Sequence, residues 1–223
     1  MTVKQVVSMI GFALVLVIGL MYGTPMLQSK NIAPRQVEGH KSILPAIKIG
    51  KDSAPVKVKM HFSLDCNHCA KFESEVLPII KKNYIDSGRV QFELIDFPLT
   101  YLAVQAAKIA WCDKGKSYRK RVAKILSCQD EWLPYTETPV KVVEANLIKS
   151  LAARGISKAE CEKCLQNQII ENALVDRRNY AIDELKFDYA PVILINGEAY
   201  EGGLNYKEIS KELDFALSSK DMR

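Results

Sequence analysis

Seven residues of strand pattern, Val56-Lys57-Val58-Lys59-Met60-His61-Phe62, run almost directly into Asp65-Cys66-Asn67-His68-Cys69. The alternation and the β-branched content predict a strand. From Cys69 to about Tyr84 the pattern changes, and Phe72, Val76, Leu77, Ile79 and Ile80 recur at helical spacing. Val90–Asp96 then reads as a second strand, stopped by Pro98. A strand that hands over to a helix and returns as a strand is a β-α-β unit, so the frame is α/β. The two cysteines sit at the handover.

The next stretch has a different character. No strand pattern recurs between Asp96 and Val192. Thr100 is placed to cap a helix running to Cys112, and Ser117–Cys128 is a second helical run. Thr138-Pro139 predicts a helix start with Pro at the first helical position, and Gly155 ends that helix. Ser157 with Glu160 forms a capping-box pattern for a shorter helix, followed by a longer one to about Leu185. Strands resume at Val192–Ile195, and Asn196-Gly197 signals a hairpin into Glu198–Tyr200. Asn205 with Glu208 predicts the start of a last amphipathic helix carrying Ile209, Leu213 and Leu217 on one face. The expected division is a first α/β part at 46–100, a helical insertion at 101–185 and a second α/β part at 186–223.

Ahead of this frame, Val6 to Met21 is almost continuously apolar, and no charge appears between Lys4 and Lys30. Residues 1–29 therefore read as a hydrophobic helix serving as export signal or membrane anchor. Cleavage after Gly23 or Thr24 places Met21 or Tyr22 at the third position back, which departs from a small-x-small site and favours an uncleaved anchor. Residues 30–45, with Pro34, Gly39 and Pro45, read as a tether, and Ala46–Ile49 as a short strand. The net charge of +5 is modest, and lysines are spread among Glu and Asp. That is a solvated surface and not a nucleic-acid groove.

Six cysteines fall as Cys66/Cys69, Cys112, Cys128 and Cys161/Cys164. In an oxidising compartment such a set permits both redox chemistry and structural disulfides, which agrees with export and a location outside the cytoplasmic membrane. Because the thiolate is the nucleophile, a redox cysteine needs surroundings that favour negative charge. The free N–H groups of a helix start supply them at Cys66. Cys69, one turn in, is placed to form the disulfide and to resolve a mixed one. A protonated His68 adds positive charge beside Cys66, while Asp65 acts in the opposite sense. Stabilising the reduced form makes the disulfide more oxidising, with about 1.4 kcal/mol for each 30 mV of a two-electron couple.

Three stretches carry a resemblance: Phe62-Ser63-Leu64-Asp65-Cys66-Asn67-His68-Cys69, Lys71-Phe72-Glu73, and Tyr189-Ala190-Pro191-Val192-Ile193-Leu194-Ile195-Asn196-Gly197. Over roughly residues 45–218 the chain resembles the DsbA family of disulfide oxidoreductases, which have the thioredoxin-like fold with an inserted helical subdomain. The resemblance implies Cys66 as accessible nucleophile, Cys69 as its buried partner, and Asn67 and His68 as the dipeptide that tunes the potential. It implies that Pro191 is a cis-proline facing the pair, and that the backbone at Ala190 takes an extended substrate by strand addition. It further implies cysteine-containing exported proteins as substrates, a DsbB-like membrane protein as reoxidant, and no cofactor. Asn67, Ala190 and Met60 occupy places where the family more often has Pro, Val or Thr, and a buried acid.

Cys112, Cys128, Cys161 and Cys164 all fall in the helical block and read as structural bridges, with three connectivities open. The resemblance favours Cys112–Cys164 and leaves Cys128 with Cys161. A second active pair at Cys161–Cys164 is opposed by the absence of a preceding strand. Within the same fold, an isomerase or reductase is the alternative to an oxidase. A different class would be a zinc site built from Cys66, Cys69, Cys161 and Cys164, or copper held with His68 or His61. His61, inside a strand, reads as a core or edge histidine, and Glu73 as a solvated helix residue. Trp111 and Trp132 read as packing for the helical block.

Overall fold

The computed structural model describes residues 43–134 and 137–221. The expected signal or anchor and the tether up to residue 42 lie outside the described residues. Among the described residues, five strands form one mixed sheet: β1 (Ile47–Ile49), β2 (Val56–Phe62), β3 (Val90–Asp96), β4 (Val192–Ile195) and β5 (Glu198–Ala199), in the order β1-β3-β2-β4-β5. β2 and β3 run parallel, from Val56 opposite Val90 to Phe62 opposite Asp96. The helix α1 (67–85) makes the crossover that a parallel pair requires. β4 lies antiparallel on the other side of β2, with His61 opposite Val192 and Val58 opposite Ile195. This register brings the end of β2 and the start of β4 side by side at the same end of the sheet.

Helix α1 alternates α-helical turns (Asn67–Lys71, Leu77–Ile80) with π-helical ones (Phe72–Val76, Lys81–Ile85). Pro78 is one cause. It has no N–H for the Ser74 carbonyl, and the Leu77 N–H reaches back five residues to the Phe72 carbonyl. Phe72, Val76, Leu77 and Ile80 are buried against the sheet. On the same side lies α8 (Tyr206–Asp221), which buries Ile209 and Leu213. It is joined to α1 by the Tyr84 hydroxyl donating to Asp214 Oδ1 at 2.9 Å and by Asn83 Nδ2 donating to the Tyr206 hydroxyl at 2.7 Å.

Between β3 and β4 the described residues are helical: α2 (Tyr101–Ala110), α3 (Tyr118–Leu126), α4 (Gln129–Trp132), α5 (Val140–Ala152), α6 (Lys158–Leu165) and α7 (Gln168–Asp183). Thr100, Ser157 and Asn167 cap their helices as side-chain acceptors of the N–H three residues on. The capping box at Ser157 is half formed, because the Glu160 carboxylate pairs with Arg121 across to α3. Pro139 is the residue before α5 and not its first helical position. Helix α2 is the centre of the block and touches α3, α5, α6 and α7. Its buried face is Ala103, Ala106, Ala107 and Ala110 with Val104 and Ile109, small side chains that let four neighbours approach closely.

The alternation in β2 predicts one solvated face. Lys57 and Lys59 keep it, but His61, the next residue on that face, is buried and packs against Phe187. Leu44, read as tether, is buried in the core, and its carbonyl accepts from Arg177 Nη2.

Candidate redox site

Cys66 caps α1 in an extended conformation, φ −94° and ψ 118°, and its carbonyl accepts from the N–H groups of Cys69 and Ala70 at 3.0 and 3.1 Å. Its side chain is half-buried, whereas that of Cys69, one turn in, is fully buried. Both are free thiols. The peptide bond Ala190-Pro191 is cis, and the Cys66 thiol donates to the Ala190 carbonyl at 3.2 Å across 124 residues of sequence. The β2–β4 register accounts for this contact, since Pro191 directly precedes Val192, the partner of His61.

The two thiols differ sharply. The Cys66 thiol is drawn down to about 7, first by the hydrogen bond from Cys69 and then by the backbone N–H groups of Cys69 and His68; burial and the Asp65 carboxylate oppose them. The Cys69 thiol is held well above the usual range by burial and by its neighbour Cys66. At neutral pH Cys66 therefore reaches the thiolate while Cys69 keeps its proton to donate. Asn67 and His68 are exposed, and what reaches the sulfur from this dipeptide is the His68 backbone N–H.

Asp65 is fixed at the mouth of the site. Ser63 Oγ donates to one carboxylate oxygen and Thr100 Oγ1 to the other, the latter at 2.6 Å, while Ser63 Oγ accepts from the Leu99 N–H at 3.1 Å. A fixed negative charge there raises the cost of the thiolate. Asp65→Asn keeps the shape and removes the charge. Iodoacetamide alkylation of Cys66 at about pH 6 is expected to run roughly two- to tenfold faster in this variant; an unchanged rate would show the carboxylate to be screened.

Two features gave no signal in the sequence. Gln129, buried at the start of α4, donates from Nε2 to the carbonyls of Leu64 at 2.7 Å and Cys66 at 3.1 Å. Asp96, at the end of β3, accepts from Trp111 Nε1 at 2.8 Å, the Tyr118 hydroxyl at 2.6 Å and Arg177 Nη1 at 3.2 Å. It ties the helical block to the sheet. Beside the site, a cleft of about 410 Å³ is lined by His68, Lys71, Glu75, Val76, Leu204, Asn205 and Tyr206.

Cys112 and Cys164 are joined by a disulfide that links the residues after α2 to α6. The expected bond between Cys128 and Cys161 is absent, and both are free, buried thiols. Each is satisfied locally, Cys128 towards the Ile125 carbonyl at 3.5 Å and Cys161 towards that of Ile156 at 3.8 Å. Burial pushes both thiols up to about 11, which removes the thiolate that would start an exchange. With Cys164 bonded to Cys112, the four-thiolate zinc set does not assemble. His61 is buried edge-on against Phe187, 5.0 Å between centroids, and burial pushes it down to about 4. Glu73 is not solvated: its carboxylate pairs through both oxygens with Arg119 at 2.7 and 3.1 Å.

A family model described as Thioredoxin matches residues 44–215. A Rickettsia typhi protein provisionally named a protein-disulfide oxidoreductase is 30% identical over 179 residues, 77% of this chain and 62% of that one. The chain spans only 60–62% of the length of these Rickettsia relatives. Disulfide bond formation protein D of Bacillus subtilis is 25% identical over 190 residues, 82% of each chain. Among solved structures, alpha-DsbA1 of Wolbachia pipientis superposes with a TM-score of 0.67 at 22% identity, covering 81% of this chain and 96% of that one. Oxidised BdbD of Bacillus subtilis gives 0.63 at 22% identity, over 77% and 92%. These likenesses identify the sheet with its helical insertion as the thioredoxin-like fold.

Proposed function

The chain belongs to the DsbA-like thioredoxin-fold family, and from that premise we propose that it is an exported thiol–disulfide oxidoreductase that forms disulfide bonds in other proteins through Cys66 and Cys69. The observation that carries the reading is the inequality of the two thiols, about 7 at Cys66 and far higher at buried Cys69. A substrate thiolate attacks the Cys66 sulfur of the oxidised pair. The Cys66–Cys69 bond breaks, and Cys69 leaves as a thiolate and takes up a proton. A second substrate thiolate then attacks the substrate sulfur of the mixed disulfide and releases Cys66 as the thiolate. Two electrons pass to the enzyme, and a substrate disulfide is formed. In the reverse sense, Cys69 resolves the mixed disulfide. Sulfur alone carries the exchange, so no cofactor is called for.

Ala190 and Pro191 are assigned the substrate backbone, because the Ala190 carbonyl already stands 3.2 Å from the Cys66 sulfur, where the mixed disulfide forms. Substrates are cysteine-containing exported proteins, and a DsbB-like membrane protein returns the pair to the disulfide. The Cys112–Cys164 bond supports an oxidising, periplasmic setting, as does the apolar Val6–Met21 segment. One observation favours a second reading, an isomerase or reductase: a thiol near 7 is close to the optimum for attack at neutral pH. The reduction potential of the Cys66–Cys69 couple decides. A value near or above about −180 mV is expected for the oxidase, and one near about −270 mV would overturn it in favour of a reductase.

A further inference from the structure

Gln129 belongs to the helical block, yet its side chain ends at the redox turn. It is only 4% exposed, and its carboxamide Nε2 donates to two carbonyls at once, Leu64 in the turn after β2 and Cys66 at the start of α1. A single NH₂ group has two hydrogens, so both are used. The Cys66 carbonyl already accepts from the Cys69 and Ala70 N–H groups, and the Gln129 bond adds a third donor from outside the helix. Rotation about the Cα–C bond of Cys66 sets how its side chain stands relative to the first turn of α1. A donor that holds this carbonyl therefore holds the direction in which the Cys66 side chain leaves the backbone.

We propose that Gln129 is a positioning residue of the redox centre, through which the helical block holds the Leu64 and Cys66 carbonyls so that the His68 and Cys69 N–H groups stay aimed at the Cys66 sulfur. Those two N–H groups are among the contacts that favour the thiolate. Burying the carboxamide without partners would be costly, and its two bonds offset that cost only when the turn adopts this one conformation. The helical block thus has a chemical role besides covering the sheet. The proposal rests on Cys66 being the nucleophile.

The test is the pH profile of Cys66 alkylation by iodoacetamide, with thermal melting as the control for folding. Gln129→Met keeps the shape and loses the donors, and its profile is expected to move to higher pH, with roughly tenfold slower alkylation at about pH 6. If Gln129→Met does not fold, Gln129→Asn is read instead; it keeps an amide but is one methylene too short to reach both carbonyls, and the same shift is expected. Leu147→Ala, a core truncation in α5, should lower the melting temperature and leave the profile in place. A profile unmoved in the Gln129 variants, or moved equally by Leu147→Ala, overturns the proposal. If the alkylation profile of Cys66 in the unmodified protein lies no lower in pH than that of an ordinary thiol, the reading of Cys66 as nucleophile fails first.

Discussion

Cys66→Ser is expected to bring dithiol exchange down to the uncatalysed rate, while Cys69→Ser stops turnover but leaves the attack of Cys66 on an external disulfide intact. The difference follows from the geometry. Cys66 is the half-buried sulfur at the helix start, drawn down to about 7, and a serine hydroxyl there has no comparable anion. Cys69 is fully buried and acts by donating a hydrogen bond to Cys66. Serine at this place still donates, so Cys66 should keep its acidity, attack a disulfide such as oxidised glutathione and then hold the mixed disulfide. Cys69→Ala removes the donor as well. Its Cys66 should titrate at higher pH than in Cys69→Ser, because the largest stabilising contact is gone. Mass spectrometry after incubation with oxidised glutathione measures the adduct, and alkylation against pH measures the acidity. An adduct on Cys69 in the Cys66→Ser protein would reverse the assignment. Equal acidity in the two Cys69 variants would show that the pair does not share a hydrogen bond.

The sequence made this pair legible for a simple reason. Strand alternation up to Phe62, helical spacing after Cys69 and a turn between them are all local patterns, and local patterns place a residue at a helix start without a structure. The strand pair β2–β4 is less local. Its hydrophobic run and the Asn196-Gly197 turn are visible, but the alignment of His61 with Val192, which brings Ala190 to Cys66, is set by pairing across 130 intervening positions; the family resemblance implies only that Pro191 faces the cysteine pair. Gln129 and Asp96 were out of reach. A glutamine following Cys128 and an aspartate ending a strand look like ordinary polar residues until tertiary packing encloses them. The pairing of Cys128 with Cys161 failed for a related reason, since sequence counts thiols but does not show that each already has a carbonyl beside it. Glu73 reads as solvated for the same kind of reason, because its partner Arg119 lies 46 residues away.

The buried Asp96–Arg177 pair should dominate stability as the cysteines dominate chemistry. Asp96 and Arg177 are 2% and 5% exposed and are joined at 3.2 Å. Burial pushes the Asp96 carboxyl above its ordinary value, and the Arg177 guanidinium, Tyr118 and Trp111 pull it back. Arg177→Leu removes the largest of those opposing influences and also the donor to the Leu44 carbonyl. Removing one partner of a buried pair costs about 3–5 kcal/mol, because a charge is left without compensation. The variant can escape part of this by keeping Asp96 protonated, and that fixes the sign of the pH dependence. Its folded-state carboxyl lies above the unfolded value, so the folded form holds more protons, and stability falls as pH rises from the unfolded value through the folded one. The deficit against the unmodified protein should therefore be largest near neutral pH and shrink towards about pH 4. Urea denaturation at the two pH values, with unchanged slope, measures it. Asp96→Asn combined with Arg177→Leu should recover much of the loss at neutral pH, since both charges are then gone. A deficit that is the same at both pH values and is not relieved in the double variant would assign the cost to lost packing of the arginine stem rather than to an uncompensated carboxylate.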